Sequence, residues 1–320
     1  MAGPRGLPCI LMYHRVARPP FDPWGLCVSP ANFRAQMEWL KAERRVMPVD
    51  DLVTALEAGE VPRFAAAVTF DDGYADNALV ARPVLEELEI PATFFLTSKA
   101  IGQGPFWWDE LAALVLLHSQ AVHFEVEIGS STTTVRWGAQ HAPPADLPEW
   151  RAEQGGNDAR RSAYLHLWEL LQHCDAGERS QAMRGLRERL GRRQDAGSDA
   201  GELPMSESMV RSLASPLISP GGHGQTHVPL TSLSPGRQIA EIAGGRADIA
   251  AMTGGGAPTG FAYPHGFHDA AVRTRVRDAG YRWAVVTDDA AVNPRRFDRY
   301  ALPRIGVGDW PAETLCRKLR

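Results

Sequence analysis

Cysteine is scarce in this chain, with four residues, Cys9, Cys27, Cys174 and Cys316, spread over 320 positions. They have neither zinc-ligand spacing nor the spacing of a disulfide-stapled domain, so neither device is expected to hold the fold. Basic blocks are missing too. Lys and Arg run no longer than about a pair, apart from the mixed stretch Arg184 to Arg193, which also carries Glu188, and the formal net charge is -4. That balance excludes a nucleic-acid footprint. Long apolar runs are absent: the longest in a helical stretch, Leu111 to Leu117, is far too short to span a bilayer. The opening MAGPRGLPCILMYHRV lacks the apolar core of a signal peptide, which makes the expected location cytoplasmic. No internal repeat is visible. What is present is ordinary globular composition, 44% apolar and 22% charged, in a chain long enough for one large core.

Strand and helix patterns alternate along much of the chain. Cys9 to Val16 reads as a buried strand ending in His14 and Arg15, and Pro30 to Glu43 as a helix with Ser29 at its N-cap. Val46 to Val49 follows as a short strand, then a helix capped by Asp50 and ended by Gly59. Ala65 to Phe70 is a strand, Ala78 to Leu88 a helix, and Ile90 to Leu96 a strand rich in aromatic residues. Such alternation is the pattern of a parallel sheet or barrel. Residues 101–203 break it with a helix, a hairpin across Gly129 to Ser131, a proline loop and two more helices. This stretch is expected to be an inserted α+β subdomain, a lid or substrate wall, inside a single domain of residues 1–320. Gln194 to Glu202 has the composition of a surface linker. Alternation resumes with Leu217 to Ser219, the strand TGFAYP, Arg282 to Thr287 and Tyr300 to Ile305.

The strand AAAVTF delivers two adjacent carboxylates, Asp71 and Asp72, to its C-terminal end, where Gly73 turns the chain. Strand C-termini are where α/β folds place chemistry. Two ionised neighbours repel, so a bound cation would relieve them and leave one as a base. Far downstream, His223 and His227 stand four apart, which on a helix puts both rings on one face. One carboxylate with two imidazoles is a three-ligand set that leaves positions open for water and substrate. The second carboxylate would then serve as base in hydrolysis of an amide or ester.

TFDDG (Thr69 to Gly73) followed by HGQTH (His223 to His227) resembles the first two motifs of the polysaccharide deacetylases, carbohydrate esterase family four. The resemblance takes in ILMYHRV and about Val46 to Leu96, then about Ser206 to Val307. It implies a distorted (β/α) barrel that removes acetyl groups from N-acetylated sugars. It also implies Asp71 as catalytic base, with Asp72, His223 and His227 holding one divalent metal, usually zinc. Gly224 stands where the family often has Ser or Thr. The third motif is best matched by AYPHG, with Ala262 at the family's arginine and His265 at its tyrosine, whose backbone N–H serves the oxyanion. The late Leu-x-Ile-His motif has no histidine in LPRIGV. MYHRV instead resembles the early histidine stretch of poly-N-acetylglucosamine deacetylases, which makes His14 the candidate general acid.

Arg304 is the candidate to replace the missing arginine beside Asp71, and Asp288 a candidate to orient His14. Gly73 and Tyr74 are further candidate donors to the oxyanion. Trp107 and Trp108 read as core aromatics, with sugar stacking as the alternative. His265 and His268 are expected near the site, and His118, His123, His141, His166 and His173 on the surface or in packing. Rival readings are a catalytically impaired carbohydrate-binding relative, a hydrolase of another small amide, and an iron oxygenase with the same ligand types. The last normally sits in a double-stranded β-helix, against which the alternation argues.

Overall fold

Seven strands, none longer than seven residues, close on one another: β1 (Cys9–Tyr13), β2 (Ala65–Phe70), β3 (Ala92–Leu96), β4 (Ile218–Gly222), β5 (Gly260–Ala262), β6 (Trp283–Asp289) and β7 (Leu302–Gly306). The computed structural model describes residues 6–139, 145–191, 200–213, 215–254 and 256–319. Strand order is β1-β7-β6-β5-β4-β3-β2, and β2 pairs back onto β1, so the parallel barrel is closed. Arg45–Val46 adds a short strand at the start of β2. Closure with helices outside buries both faces of a strand, which is why all six residues of AAAVTF are buried.

The two faces have different neighbours. Ile10, Ala67, Phe95, Ala262, Trp283, Val285 and Leu302, drawn from six strands, meet in the barrel interior, and Gly221 and Gly260 leave the Phe95 and Trp283 rings the space a Cβ would fill. Helix Val49–Ala58 adds Leu52, Val53 and Leu56 to that cluster. On the outer face Leu11, Tyr13, Val68, Phe70 and Phe94 pack with helix Pro30–Glu43, which presents Phe33, Met37 and Leu40 at helical spacing. Burying each of those three contributes roughly 1.5–3 kcal/mol.

Several local expectations shift. The first strand stops at Tyr13, and Arg15–Val16 turns away to pair with Cys27–Val28. Ser29 precedes helix Pro30–Glu43 without capping it: its hydroxyl donates to Asp309 Oδ1 at 2.6 Å, and Pro30 supplies the helical φ instead. Val49 is the first residue of its helix, and Asp50 accepts from Trp283 Nε1 and Thr259 Oγ1, at 3.0 and 2.8 Å, tying that helix to the barrel. Among the described residues two helices contain a π-helical turn, Asn77–Ala81 and Ala240–Gly244. All four cysteines are buried and free. Among the described residues no helix is long and apolar enough to cross a membrane.

The chain divides into two compact units, the barrel unit and a second one formed by Pro19–Gly25 with Pro105–Asp199. The second is narrower than the insertion read over 101–203, and it recruits Pro19–Gly25, which that reading did not include. Trp24 explains the recruitment: its ring lies 4.2 Å from that of Trp168, and its Nε1 donates to Tyr164 Oη at 2.8 Å. The unit contains helices Trp107–Leu116, Ala159–His173 and Ala176–Leu190 and a hairpin of Val122–Ile128 with Ser131–Trp137. Asp158 and Asp175 cap the last two helices through their side chains. Trp108 is buried and stacked on Phe106, and Trp107 packs, partly buried, against the core of this unit. The linker reading of Gln194 to Glu202 lies largely outside the described residues, as do His141, Pro143 and Pro144.

Candidate active site

Ala67, Thr69 and Asp71 alternate onto the inner face of β2, and Arg304 points inward from β7. The meeting is bidentate: Arg304 Nη1 and Nη2 each donate to one Asp71 oxygen at 2.6 Å. Arg304 is itself held by Val286 O on Nε and by Thr69 Oγ1 on Nη1, at 3.0 and 3.1 Å. Both partners are buried, at 0% and 2% exposure, so neither charge has water to fall back on. Burial pushes the Asp71 carboxyl up, but the Arg304 charge and hydrogen bonds bring it below the usual carboxylate range.

Asp72 departs from the strand, with φ of +72°. Left-handed backbone is costly for a residue with a side chain, though Asp tolerates it better than most. Of the five described non-glycine residues in that region, three are Asp72, His227 and His265, so the strain concentrates here. The turn aims Asp72 at two rings: its Oδ1 lies 3.4 Å from His223 Nε2 and 3.2 Å from His227 Nε2. Burial opposes ionisation of Asp72, yet the two histidines hold its carboxyl well below the ordinary value. Burial likewise disfavours the charged His223 ring, and Asp72 and Asp71 raise it above the ordinary value.

The two histidines do not share a helical face. His223 follows the last residue of β4, Gly224 takes φ +74° and His227 φ +55°, so a loop brings the rings to a 4.8 Å centroid separation. A loop does this because two left-handed residues reverse the chain within four positions. One donor atom from each of Asp72, His223 and His227 lies within 4.8 Å of the others, and all three are buried. His223 Nδ1 is 2.8 Å from Ala262 O, which selects the tautomer with Nδ1–H and leaves Nε2 as a ligand atom. A carboxylate oxygen and two imidazole nitrogens, oriented in this way, fit a divalent metal.

His14 sits between β1 and Arg15–Val16, near enough for its charge to lower both Asp71 and Asp72. Its backbone is fixed on both sides by the segment that also carries those acids, beginning with the Asp71 N–H, which donates to Tyr13 O at 3.0 Å. Asn77 Nδ2 donates to His14 O at 2.8 Å, and Asp76 accepts from Arg15 Nε at 3.1 Å and Val16 N at 3.2 Å. Burial pushes the Asp76 carboxyl up to about 6, against the pull of Arg15. Asp76 and Asn77 were not singled out from sequence, although their closeness to the acid pair was the available signal.

Two candidates do not meet their expected partners. Gly73 donates its N–H to Asp71 O at 2.9 Å, because φ of +87° folds it back on the strand end, so that donor is committed. Asp288 is exposed and makes no hydrogen bond or ion pair with His14, since β6 carries it beyond its buried segment. The Tyr74 ring is buried under the Arg15 guanidinium, 4.6 Å from its centroid, while the backbone on either side of Tyr74 pairs with Leu203 and Met205. His265, at φ +57°, brings its ring to 4.4 Å from that of His227. His268 lies one step further out, against the Tyr263 ring at 5.0 Å.

A closed parallel (β/α) barrel with a buried acid–histidine cluster at the ends of its strands defines the class, and it is not the double-stranded β-helix of the oxygenase reading. The polysaccharide deacetylase family model matches residues 58–150 and 196–284, more than half of the chain, and the chain belongs to that family. The chain is similar to the poly-β-1,6-N-acetyl-D-glucosamine N-deacetylase of Staphylococcus epidermidis, 34% identical over 83 residues, which are 25% of this chain and 28% of that one. The matched stretches span about a third of the length of the curated relatives, or less. Among solved structures, Streptococcus pyogenes deacetylase PplD in complex with acetate gives a TM-score of 0.61 at 15% identity, over 98% of each chain. IcaB from Ammonifex degensii gives 0.58 at 17% identity, again over 98% of each. Both share the fold.

Proposed function

We propose that this chain is a metal-dependent hydrolase that removes acetyl groups from N-acetylated sugars, whether polymer, oligosaccharide or glycan precursor. The observation that carries the reading is the division of two adjacent acids between different partners: Asp71 on Arg304, Asp72 on His223 and His227. Asp72, His223 and His227 would hold the metal, zinc by the family resemblance. A divalent cation in such a set acidifies water and polarises an acyl carbonyl. Asp71, kept ionised by Arg304, takes the proton of the attacking water as its oxygen bonds to the acetyl carbon. Arg304 positions that carboxylate and contributes no proton. The oxyanion faces the backbone N–H of His265 or Tyr74. His14 then gives a proton to the sugar nitrogen as the C–N bond breaks, leaving free amine and acetate.

The family match and the N-deacetylase relative support the sugar amide as substrate. Acetate release from N-acetylglucosamine oligomers with added Zn²⁺ tests the reading. Release by the wild type is expected, and none from any N-acetylated sugar would refute it.

A further inference from the structure

The loop between the two histidines is held from both sides. On one side, the carbonyls of Gly224 and Gln225 accept the N–H groups of Ser98 and Lys99, at 3.2 and 2.9 Å. On the other, a single carboxylate from helical residues 235–253 takes three donors. Glu241 Oε2 accepts from Gln225 N at 2.8 Å and Thr226 N at 2.9 Å, and Oε1 accepts from Thr226 Oγ1 at 2.7 Å. Asp248, further along the same helical run, accepts from Gln225 Nε2 and Ser98 Oγ, at 2.8 and 2.7 Å. Between them stand Gly244 and Gly245. A Cβ on Gly245 would come within 3.0 Å of the Gly224 carbonyl group, and one on Gly244 within 2.7 Å of the Gln225 amide.

Glu241 lies in the π-helical turn Ala240–Gly244, a local irregularity that recurs at functional sites. Asn77, which holds the His14 carbonyl, lies in the other π-helical turn of the barrel unit. Thus each π turn places a side chain on the backbone of a loop bearing a site histidine. None of Glu241, Gly244 and Gly245 belongs to the cluster itself, and no part of the reaction described above employs them.

We infer that Glu241, with the bare helix surface at Gly244 and Gly245, is a positioning device that sets the geometry of His223 and His227 for metal binding. It rests on the reading of Asp72, His223 and His227 as the metal centre. Two backbone N–H groups and a hydroxyl converge on one carboxylate, so the chain between the ligands has little freedom to splay when the ion is absent. Pre-organisation of this kind appears as metal affinity, because outer groups that orient ligands change binding about 10- to 100-fold when removed.

The test is Zn²⁺ titration of the full-length chain, with Co²⁺ substitution to read coordination by visible absorption. Wild type, Glu241→Ala, Glu241→Gln and Gly245→Ala are compared, with circular dichroism reporting folding. Glu241→Ala is expected to weaken Zn²⁺ binding about 10- to 100-fold and to alter the Co²⁺ bands. Glu241→Gln is expected to recover most of the affinity, since its amide oxygen still accepts from the backbone pair. Gly245→Ala favours the helix, so its fold persists while the loop is displaced and affinity falls. Wild-type affinity in a folded Glu241→Ala overturns the inference. If Glu241→Ala does not fold, Gly245→Ala decides, and unchanged affinity there overturns it equally. A wild type that binds neither ion removes the metal centre itself, a distinct failure.

Discussion

Charge is buried in both units, but with different chemistry. In the second unit the buried ions are arginines: Arg160, Arg161 and Arg179. Arg179 donates to Leu171 O and Cys174 O at 2.9 and 3.0 Å, with Trp107 at 5.0 Å from its guanidinium. Arg161 reaches Asp146, whose side chain is 62% exposed, and lies over Trp150. These contacts join helix ends and aromatic faces, and among the described residues of that unit no carboxylate or histidine is buried. Among its described residues the barrel unit buries three carboxylates, Asp71, Asp72 and Asp76, along with His223 and His227. A buried carboxylate is costly unless paired, and here each is paired with a different cation or ring. Charge that knits an interior is spread among nearby carbonyls and partly exposed carboxylates, whereas charge assembled for chemistry converges from distant strands on one point.

Removing a metal ligand breaks this contrast most severely. His223→Ala or His227→Ala is expected to lose bound metal and bring acetate release to background, measured by metal analysis beside the acetate assay; retained metal would dismiss the ligand assignment. Next in size is Arg304→Met, which leaves Asp71 buried without its cation. A destabilisation of about 3–5 kcal/mol in urea unfolding is expected, with a large fall in kcat. A loss under 1 kcal/mol would mean that Asp71 relaxes toward solvent.

The pH dependence sharpens the same pair. The folded Asp71 pKa is lowered, so its contribution to stability is complete above the unfolded value of about 3.9 and is lost as pH falls through the lower folded value. Asp71→Asn should therefore flatten the decline of unfolding free energy below about pH 4, and an unchanged slope would contradict the pairing. Smallest is Arg179→Ala in the second unit, expected to cost about 1–3 kcal/mol through orphaned carbonyls and lost ring contact. Metal affinity should stay at the wild-type level, and a marked drop would erase the distinction between the two kinds of buried charge.

Much of this was legible in the residues. Alternation of strand and helix announced a parallel sheet or barrel because each element is short and bounded by turn residues, and the family resemblance implied the barrel. The acid pair and the histidine pair could be read because their chemistry is local to a few positions. Helix Pro30–Glu43 is legible to the residue. The spacing of His223 and His227 left the backbone between them open, since a separation of four serves a helix and a left-handed loop alike, and the structure has the loop. Arg304 could be nominated as the partner of Asp71 only through the arginine missing from AYPHG, because 233 positions separate the two and barrel closure is what brings β7 and β2 to a common interior. Asp288 failed for the opposite reason: the position of an acid on a strand does not say where its burial ends. Pro19–Gly25 was invisible as part of the second unit because one tryptophan, rather than a pattern, ties it there.

The central claim is that two neighbouring acids have separate duties, Asp72 on the metal and Asp71 as base. Acetate release from N-acetylglucosamine oligomers by wild type and Asp71→Asn, each assayed for bound zinc, tests it directly. Activity about 10²- to 10⁴-fold lower with metal retained is the predicted result; full activity in the variant, or metal lost along with it, would contradict the account.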